Sequence, residues 1–365
     1  MPTQRPRPWS RPIPPATVIA RALHLAPETF WMVVKVLIVL LGPLSLAALL
    51  TWVERRGSAM LQDRIGPNRA AILGRWRLLG FPQIVADGLK AFLKEDLVPP
   101  HANRVLFWLA PILAFLPAAL GFAVIPFGQS FQSGDRTYHM SLLDPGNGMG
   151  MLYPMAIGAL AVYGVLAAAW GSNNKWSILG GMRASAQMVS YELAMSLAVL
   201  AVFLTTGGYD PHEIIESQRG LWNVVPQVVG FLVFFTCMFA ETGRLPFDFA
   251  EGESEIVAGY LTEFGSMKFA LMYLSEYIHI VTASALVATL YFGGWRVPFV
   301  ADPGPILSVL AFLAKVVFFA WVFVWVRWTL PRFRYDQLMR LGWKVLLPLS
   351  LGNFLLQAFL IYRRG

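Results

Sequence analysis

Apolar residues occupy most of this chain in long blocks separated by shorter polar stretches, and block length sets the reading. A helix that crosses a bilayer needs about 20 mainly apolar residues. Eight blocks meet that requirement: 31–52, 104–126, 150–170, 184–206, 223–243, 269–292, 306–330 and 345–362. The pattern predicts eight transmembrane helices. Residues 78–96 follow another rule. Phe81, Ile84, Val85, Leu89, Phe92 and Leu93 recur at helical spacing, while Asp87, Lys90 and Lys94 share the other face. That stretch is too short and too polar to span, and predicts an amphipathic helix lying in the membrane interface, within a first loop over 53–103. Residues 1–25, rich in proline and arginine, predict a disordered extension, leaving 26–365 as a single transmembrane domain. The first block is followed by Trp52-Val53-Glu54-Arg55-Arg56 where a signal-peptide cleavage site would need small residues, so it reads as a retained span.

Composition narrows the class. Hydrophobic residues make up 56% and charged residues 14%, more apolar surface than a soluble fold of this size could hide. The reading is an all-α, polytopic membrane protein. Cys237 is the single cysteine, and the five histidines (His24, His101, His139, His212, His279) are scattered. A disulfide framework, an iron–sulfur ligand set and a thiolate zinc site within the chain are therefore excluded, and no Gly-rich nucleotide motif is present. Redox chemistry would have to come from partners or a diffusible substrate.

The net charge of +8 reads as topology rather than nucleic-acid binding. The connections 53–103, 171–183, 244–268 and 327–344, with Arg104 at the edge of the first, carry 18 of the 29 Lys and Arg residues. Basic residues concentrate on the cytoplasmic side, so these connections are expected there and both termini on the outer side. No internal repeat is evident, unlike the paired halves of many secondary transporters.

Acid is distributed less evenly than base. Between Glu241 and Glu276 lie seven of the chain's 21 acidic residues (Glu241, Asp248, Glu251, Glu253, Glu255, Glu263 and Glu276), opposed only by Arg244 and Lys268. Glu192, Glu241 and Glu276 fall inside predicted spans, where an ionisable group is costly and marks an ion or proton path. Tyr191, Tyr277 and His279 stand beside them to extend hydrogen bonds, and Lys315 is the expected internal counter-charge.

These residues carry a family resemblance. The run Ala240-Glu241-Thr242-Gly243-Arg244-Leu245-Pro246-Phe247-Asp248, with Glu251-Gly252-Glu253-Ser254-Glu255, Thr262-Glu263-Phe264 and Ser275-Glu276-Tyr277, resembles the H-subunit family of respiratory complex I. That complex is the proton-translocating NADH:quinone oxidoreductase, and the mitochondrial equivalent of this family is the first NADH dehydrogenase subunit. Glu54-Arg55-Arg56, Gly66-Pro67-Asn68-Arg69, the Asp87, Lys90 and Lys94 helix, Ser190-Tyr191-Glu192 and Pro331-Arg332-Phe333-Arg334-Tyr335-Asp336 extend the match.

The resemblance implies a multi-pass protein of the bacterial inner membrane that forms much of a quinone chamber and couples quinone reduction to proton translocation. Quinone is the substrate, no redox cofactor is bound to the chain itself, and NADH, FMN and iron–sulfur clusters belong to partner subunits. Those partners are the peripheral-arm subunits of the quinone site and the small and antiporter-like membrane subunits, with no nucleic acid. Carried onto this chain, the quinone-binding candidates are Arg55, Arg64 and Asp87. The proton or coupling path is Glu192, Glu241, Glu251, Glu253, Glu255, Glu263 and Glu276, with Arg244 and Asp248 organising the loop. The chain departs from the family pattern at Gly243, Leu245 and Ala159, the last replacing a carboxylate of some relatives. A homologous membrane subunit of an energy-converting hydrogenase or a ferredoxin- or deazaflavin-linked complex is the alternative, and a stand-alone proton or cation transporter is another.

Overall fold

The computed structural model describes residues 27–71, 76–133, 136–143, 150–298, 300 and 303–364. The extension expected over 1–25 lies outside them. The chain is a helix bundle, as expected. The first helix, α1 (Pro27–Leu61), is followed by the short interfacial helix α2 (Pro82–Leu93) and then by α3 (Arg104–Leu120). A broken span follows, α4 (Leu152–Ala159) and α5 (Ala161–Gly171), and then the long α6 (Lys175–Thr206) and short α7 (Pro211–Ser217). The second half holds α8 (Val228–Glu241), the four-residue α9 (Glu253–Ile256), α10 (Ser266–Tyr291) and α11 (Gly304–Thr329). It closes with α12 (Tyr335–Leu341), which passes through a π turn into α13 (Leu347–Arg364). Among the described residues the exception to helix is a small antiparallel ribbon, β1 (Phe131–Ser133) with β2 (Arg136–Tyr138), in register Phe131 opposite Tyr138.

Among the described residues seven helices are long and apolar enough to cross a membrane, and the eighth predicted span is shorter. Helix α8 has 14 residues, about 21 Å at 1.5 Å per residue, against a hydrocarbon core of about 30 Å. It ends where Gly243 adopts φ +61, ahead of Pro246, a backbone that only glycine enters without strain. Two other boundaries moved outward. Helix α1 continues to Leu61 rather than stopping near residue 52, so Glu54, Arg55 and Arg56 ride on a helix and not in a loop. Helix α6 starts at Lys175, where the Asn174 side chain accepts from the Trp176 N–H, so Glu192 sits near its middle. Hydropathy stops at charge, whereas a helix once nucleated propagates through charged, polar and small residues at one backbone hydrogen bond per residue.

Helix α2 forms as the amphipathic helix expected in the first loop: none of its residues is buried, and Val85, Leu89, Phe92 and Leu93 are exposed on one face. Its half-buried Asp87 turns instead toward α1. We call the end of the bundle where α1 finishes and α10 begins the acidic end. There the loop between α8 and α10 is clamped into both hydrophobic cores. Phe247 and Phe249 join the core around α6, α8, α10 and α11, while Tyr260, Leu261 and Phe264 join a second core with α3 and α5. Phe264 stacks on Phe107 with ring centroids 4.2 Å apart. Gln187 of α6 donates to the carbonyls of Ala240 (2.7 Å) and Phe247 (2.9 Å), pinning the loop's start.

The clamp requires close backbone approach. A Cβ on Gly180 of α6 would lie 2.6 Å from the Cα of Gly259, and Gly259 itself has φ +52 against the carbonyl of Ala250. Gly180→Val is expected to destabilise the folded chain by about 2–3 kcal/mol through forced separation of loop and helix. Thermal unfolding of the detergent-extracted protein measures the loss. Gly220→Ala, where a new Cβ meets nothing within 4 Å, is expected to leave unfolding unchanged.

Candidate functional site

The geometry at the acidic end begins with Arg244, the first charged residue after α8. Its side chain is 5% exposed, with Nη1 3.5 Å from Glu54 Oε2 and Nη2 3.4 Å from Glu276 Oε2. Its guanidinium carbon lies 4.2 Å from the centroid of the Tyr277 ring. Glu54, on the helical continuation of α1, also accepts from the Tyr277 hydroxyl at 2.9 Å and pairs through Oε1 with Arg327 at the end of α11. Glu276 accepts from the Tyr260 hydroxyl at 3.1 Å. Burial, and after it the charges of Glu276 and Glu251, push the Tyr260 hydroxyl well above its ordinary value, so it stays a donor. Asp248 is bound by Arg332 at 2.9 Å.

Glu251 completes the group. The neighbouring charge of Glu276, then burial, then Asp248 hold its carboxyl well above the usual carboxylate range, against a smaller opposing pull from Arg244. Formal charge explains why. Glu54, Glu276, Asp248 and Glu251 are four acids facing three guanidiniums, Arg244, Arg327 and Arg332. With Glu251 protonated the cluster is neutral.

Behind this cluster two cavities stand in series, each of about 50 Å³. The outer one is lined by Glu276, Tyr260 and Gln187, and the inner one by Glu192, Ala159 and Met195. Glu241, Thr242 and His279 line both. Each has space for a few water molecules. Glu241 stands at the last residue of α8, with Oε2 buried and without a hydrogen-bond partner among the described residues.

A family model described as NADH dehydrogenase matches residues 34–358. An H subunit of NADH-quinone oxidoreductase from Cytophaga hutchinsonii is 45% identical over 313 residues, 84% of this chain and 89% of the relative. H subunits of NADH-quinone oxidoreductase from Leptospira biflexa (43% over 332 residues, 87% and 91%) and Bdellovibrio bacteriovorus (39% over 372 residues, 90% and 95%) are similar over almost the whole length. The chain belongs to the H-subunit family of NADH-quinone oxidoreductase. It is a multi-pass membrane protein of that family, as the resemblance implied.

In this member of the H-subunit family the expected site residues divide into groups. Glu251, Glu276, Arg244 and Asp248 come together in the network, and Glu241 and Glu192 join it through the cavities. Arg55 pairs with Asp87, whose other oxygen accepts from Gln83 at 2.9 Å, tying α1 to α2. Arg64 does not enter that pair: it donates to Gln62 (2.7 Å) and Ser58 (3.4 Å). Glu255 pairs with Arg183 at 2.6 Å on the exposed rim, and Glu263 accepts from Asn174. The side chain of Glu253 lies outside the described residues. Ala159, one of the departures, lines the inner cavity and leaves Glu192 and Glu241 as its carboxylates.

Lys315 is not the counter-charge. Its ammonium donates to the carbonyls of Phe292 (2.7 Å), Gly294 (2.8 Å) and Arg296 (2.6 Å), closing the far end of α10. The cations that face the acids are Arg244, Arg327 and Arg332. Glu54, Arg327, Arg332 and Tyr260 were missed as site residues. Glu54 and Arg332 lay within motifs that carried the resemblance, but nothing local marked them as partners of the acidic loop.

Two outcomes follow from the network. Glu54→Ala leaves Arg244 and Arg327 short of an acceptor in a buried setting, and is expected to cost about 3–5 kcal/mol. Adding Arg327→Met should recover part of the loss in thermal unfolding of the extracted protein. The raised value of Glu251 also sets a pH dependence. Its contribution to stability is complete below the ordinary glutamate range and is lost as pH rises toward its folded value, with a limiting slope of about 1.4 kcal/mol per pH unit. Glu251→Gln should flatten that slope in a series of unfolding temperatures against pH.

Proposed function

We propose that this chain is the membrane subunit of a proton-translocating NADH:quinone oxidoreductase, forming much of its quinone chamber and passing the consequences of quinone reduction into the membrane. The observation that supports the coupling role is the pair of cavities joining the acidic network to Glu192 through Glu241 and His279. Orientation by the distribution of basic residues places the acidic end toward the cytoplasm, where the peripheral-arm partners carrying FMN and iron–sulfur clusters would dock. The exposed Glu255 and the partly buried Glu263, together with Glu253 of the same loop sequence, are assigned to that docking face.

On this reading a quinone enters past α2, whose outward apolar residues suit an amphipathic guest at the lipid boundary. Arg55, Asp87 and Arg64 stand at that entrance and position the headgroup. Reduction of a quinone to a quinol takes up two electrons and two protons, so each turnover creates a proton demand beside the loop. Glu251 is the group suited to answer it, because it holds a proton next to three paired acids. Its loss of that proton adds a fourth negative charge against three guanidiniums, and in a low-dielectric site such an imbalance is worth several kcal/mol. Neutrality returns when Glu276 or Glu251 takes a proton from Glu241 across the outer cavity, and Glu241 is refilled from Glu192 across the inner one. Small and antiporter-like membrane subunits would receive the charge change beyond Glu192.

The names of the relatives favour the quinone enzyme over a hydrogenase-linked membrane protein. Glu241→Gln and Glu192→Gln test the path in the assembled complex. Each is expected to lower proton pumping driven by NADH at least about tenfold, a loss of about 1.4 kcal/mol or more. NADH oxidation by a soluble artificial electron acceptor should remain normal. Quinone reduction and pumping both intact in the two variants would remove these residues from the path.

A further inference from the structure

Outside the acidic network, a second cluster of charge lies on the outer surface of the bundle. Where α3 and α10 both begin, a groove of about 440 Å³ runs between the end of α2, the first turns of α3 and the first turn of α10. It continues along α3 as a shallower hollow of about 390 Å³. At its floor is Lys268, 4% exposed. The ammonium lies 3.0 Å from Asp96 Oδ2 and 3.6 Å from the centroid of the Trp108 ring. Its approach to Asp96 misses hydrogen-bonding geometry, and among the described residues no acceptor completes a hydrogen bond to it. Lys94 and Arg104 line the rim, and Asp96 is the one acid among the described lining residues.

Below these cations α3 presents Val105, Trp108, Leu109 and Ile112, all exposed and spaced i, i+3, i+4 and i+7 along one helix face. The two halves of the groove call for different chemistry. A buried ammonium whose carboxylate neighbour misses hydrogen-bonding geometry, together with two rim cations that outnumber that one acid, suits a further anionic oxygen. An apolar stripe about two turns long calls for a hydrocarbon chain, and the groove's position at the starts of two spans puts it at headgroup level. A small soluble anion would leave the stripe uncovered, and an uncharged lipid would leave three cations, Lys268, Lys94 and Arg104, with Asp96 as the one acid among the described lining residues.

We propose that this groove holds one anionic glycerophospholipid, its phosphate received by Lys268, Lys94 and Arg104 and an acyl chain laid along Val105, Trp108, Leu109 and Ile112. The ring of Trp108 forms the joint between the two halves, its face on the ammonium and its edge on the chain. The site is separate from the carboxylate path, so its occupancy stands or falls apart from the proposed coupling.

Trp108 supplies the reporter. The intact purified assembly is reconstituted in lipid nanodiscs containing phosphatidylglycerol or phosphatidylcholine with brominated acyl chains. Trp108 emission is read as the difference between wild type and Trp108→Phe. Brominated phosphatidylglycerol should quench Trp108 at a mole fraction at least about fivefold lower than brominated phosphatidylcholine, the preference expected of one surface cation or more. The preference should shrink with added salt. The rim variant Lys94→Gln with Arg104→Gln, which leaves buried Lys268 in place, should bring the two lipids within about twofold. Equal quenching in the unmodified assembly would mean ordinary bulk lipid and overturn the proposal. No quenching by either lipid would mean that a neighbouring protein covers the face, and protection by added quinone would mean a quinone tail occupies it; both overturn it as well.

Discussion

Arg244 brings a permanent positive charge to a place where water reaches only 5% of its side chain, and the acidic end is built around satisfying it. A guanidinium cannot escape burial by losing its proton, so the surroundings must supply negative charge. They do so from three separate groups: Glu54 on α1, Glu276 on α10 and the ring face of Tyr277. Glu54 is shared with Arg327 of α11, and Asp248 draws in Arg332 beyond it. Four stretches of chain are thereby fixed to one another by charge. The two contacts of Arg244 are 3.5 and 3.4 Å long, longer than a close charge-assisted hydrogen bond. Attraction at that length, with a cation–π contact, holds the group while leaving it free to tighten on one carboxylate or the other.

That freedom matters because the cluster has one acid more than it has guanidiniums. A proton on Glu251 is therefore a structural component, and removing it changes the charge balance of every neighbour at once. The effect need not travel far as a conformational wave. Glu276 lines the outer cavity, Glu241 lines both, and Glu192 lines the inner one. Most of the remaining inner wall is apolar, including Ala159, Met195 and Phe234. An apolar wall keeps the local dielectric low, which makes each charge in the row sensitive to the next. With Ala159 in its wall, the inner cavity has Glu192 and Glu241 as its carboxylates among the described residues.

The spans were legible in the sequence because a bilayer imposes a length on apolar runs. Their ends were not, because α1 and α6 continue as helices after their apolar runs give way to charged, polar and small residues. The acids were legible by density and depth alone. Their partners were hidden by distance along the chain: Glu54 is separated from Arg244 by 190 positions and from Arg327 by 273. No periodicity or local motif records a pairing of that range, and the resemblance preserved Glu54 and Arg332 without saying what they touch. Lys315 shows the opposite failure. Its depth in a span suggested a partner for the carboxylates, but three backbone carbonyls left open at the end of α10 are nearer acceptors. A count of buried charges cannot foresee competition from the backbone.

The shortness of α8 connects these observations. The span expected over 223–243 forms a helix over Val228–Glu241, five residues later at its start and two residues earlier at its end. Here the turn at Gly243 stops the helix at Glu241 and turns the chain back across the bundle. The chain so released folds inward, with Phe247 and Tyr260 buried in the two cores and Arg244 delivered between α1 and α10. Gln187 adds a side-chain donor to the carbonyls of Ala240 and Phe247 at this break, beside the backbone N–H groups of Gly243 and Phe249 that also reach them. Glu241, at the helix end, lines both cavities. The helix end at Glu241, the buried Arg244 and the two cavities that Glu241 lines thus share one short stretch of chain, so a change at any of them bears on the others.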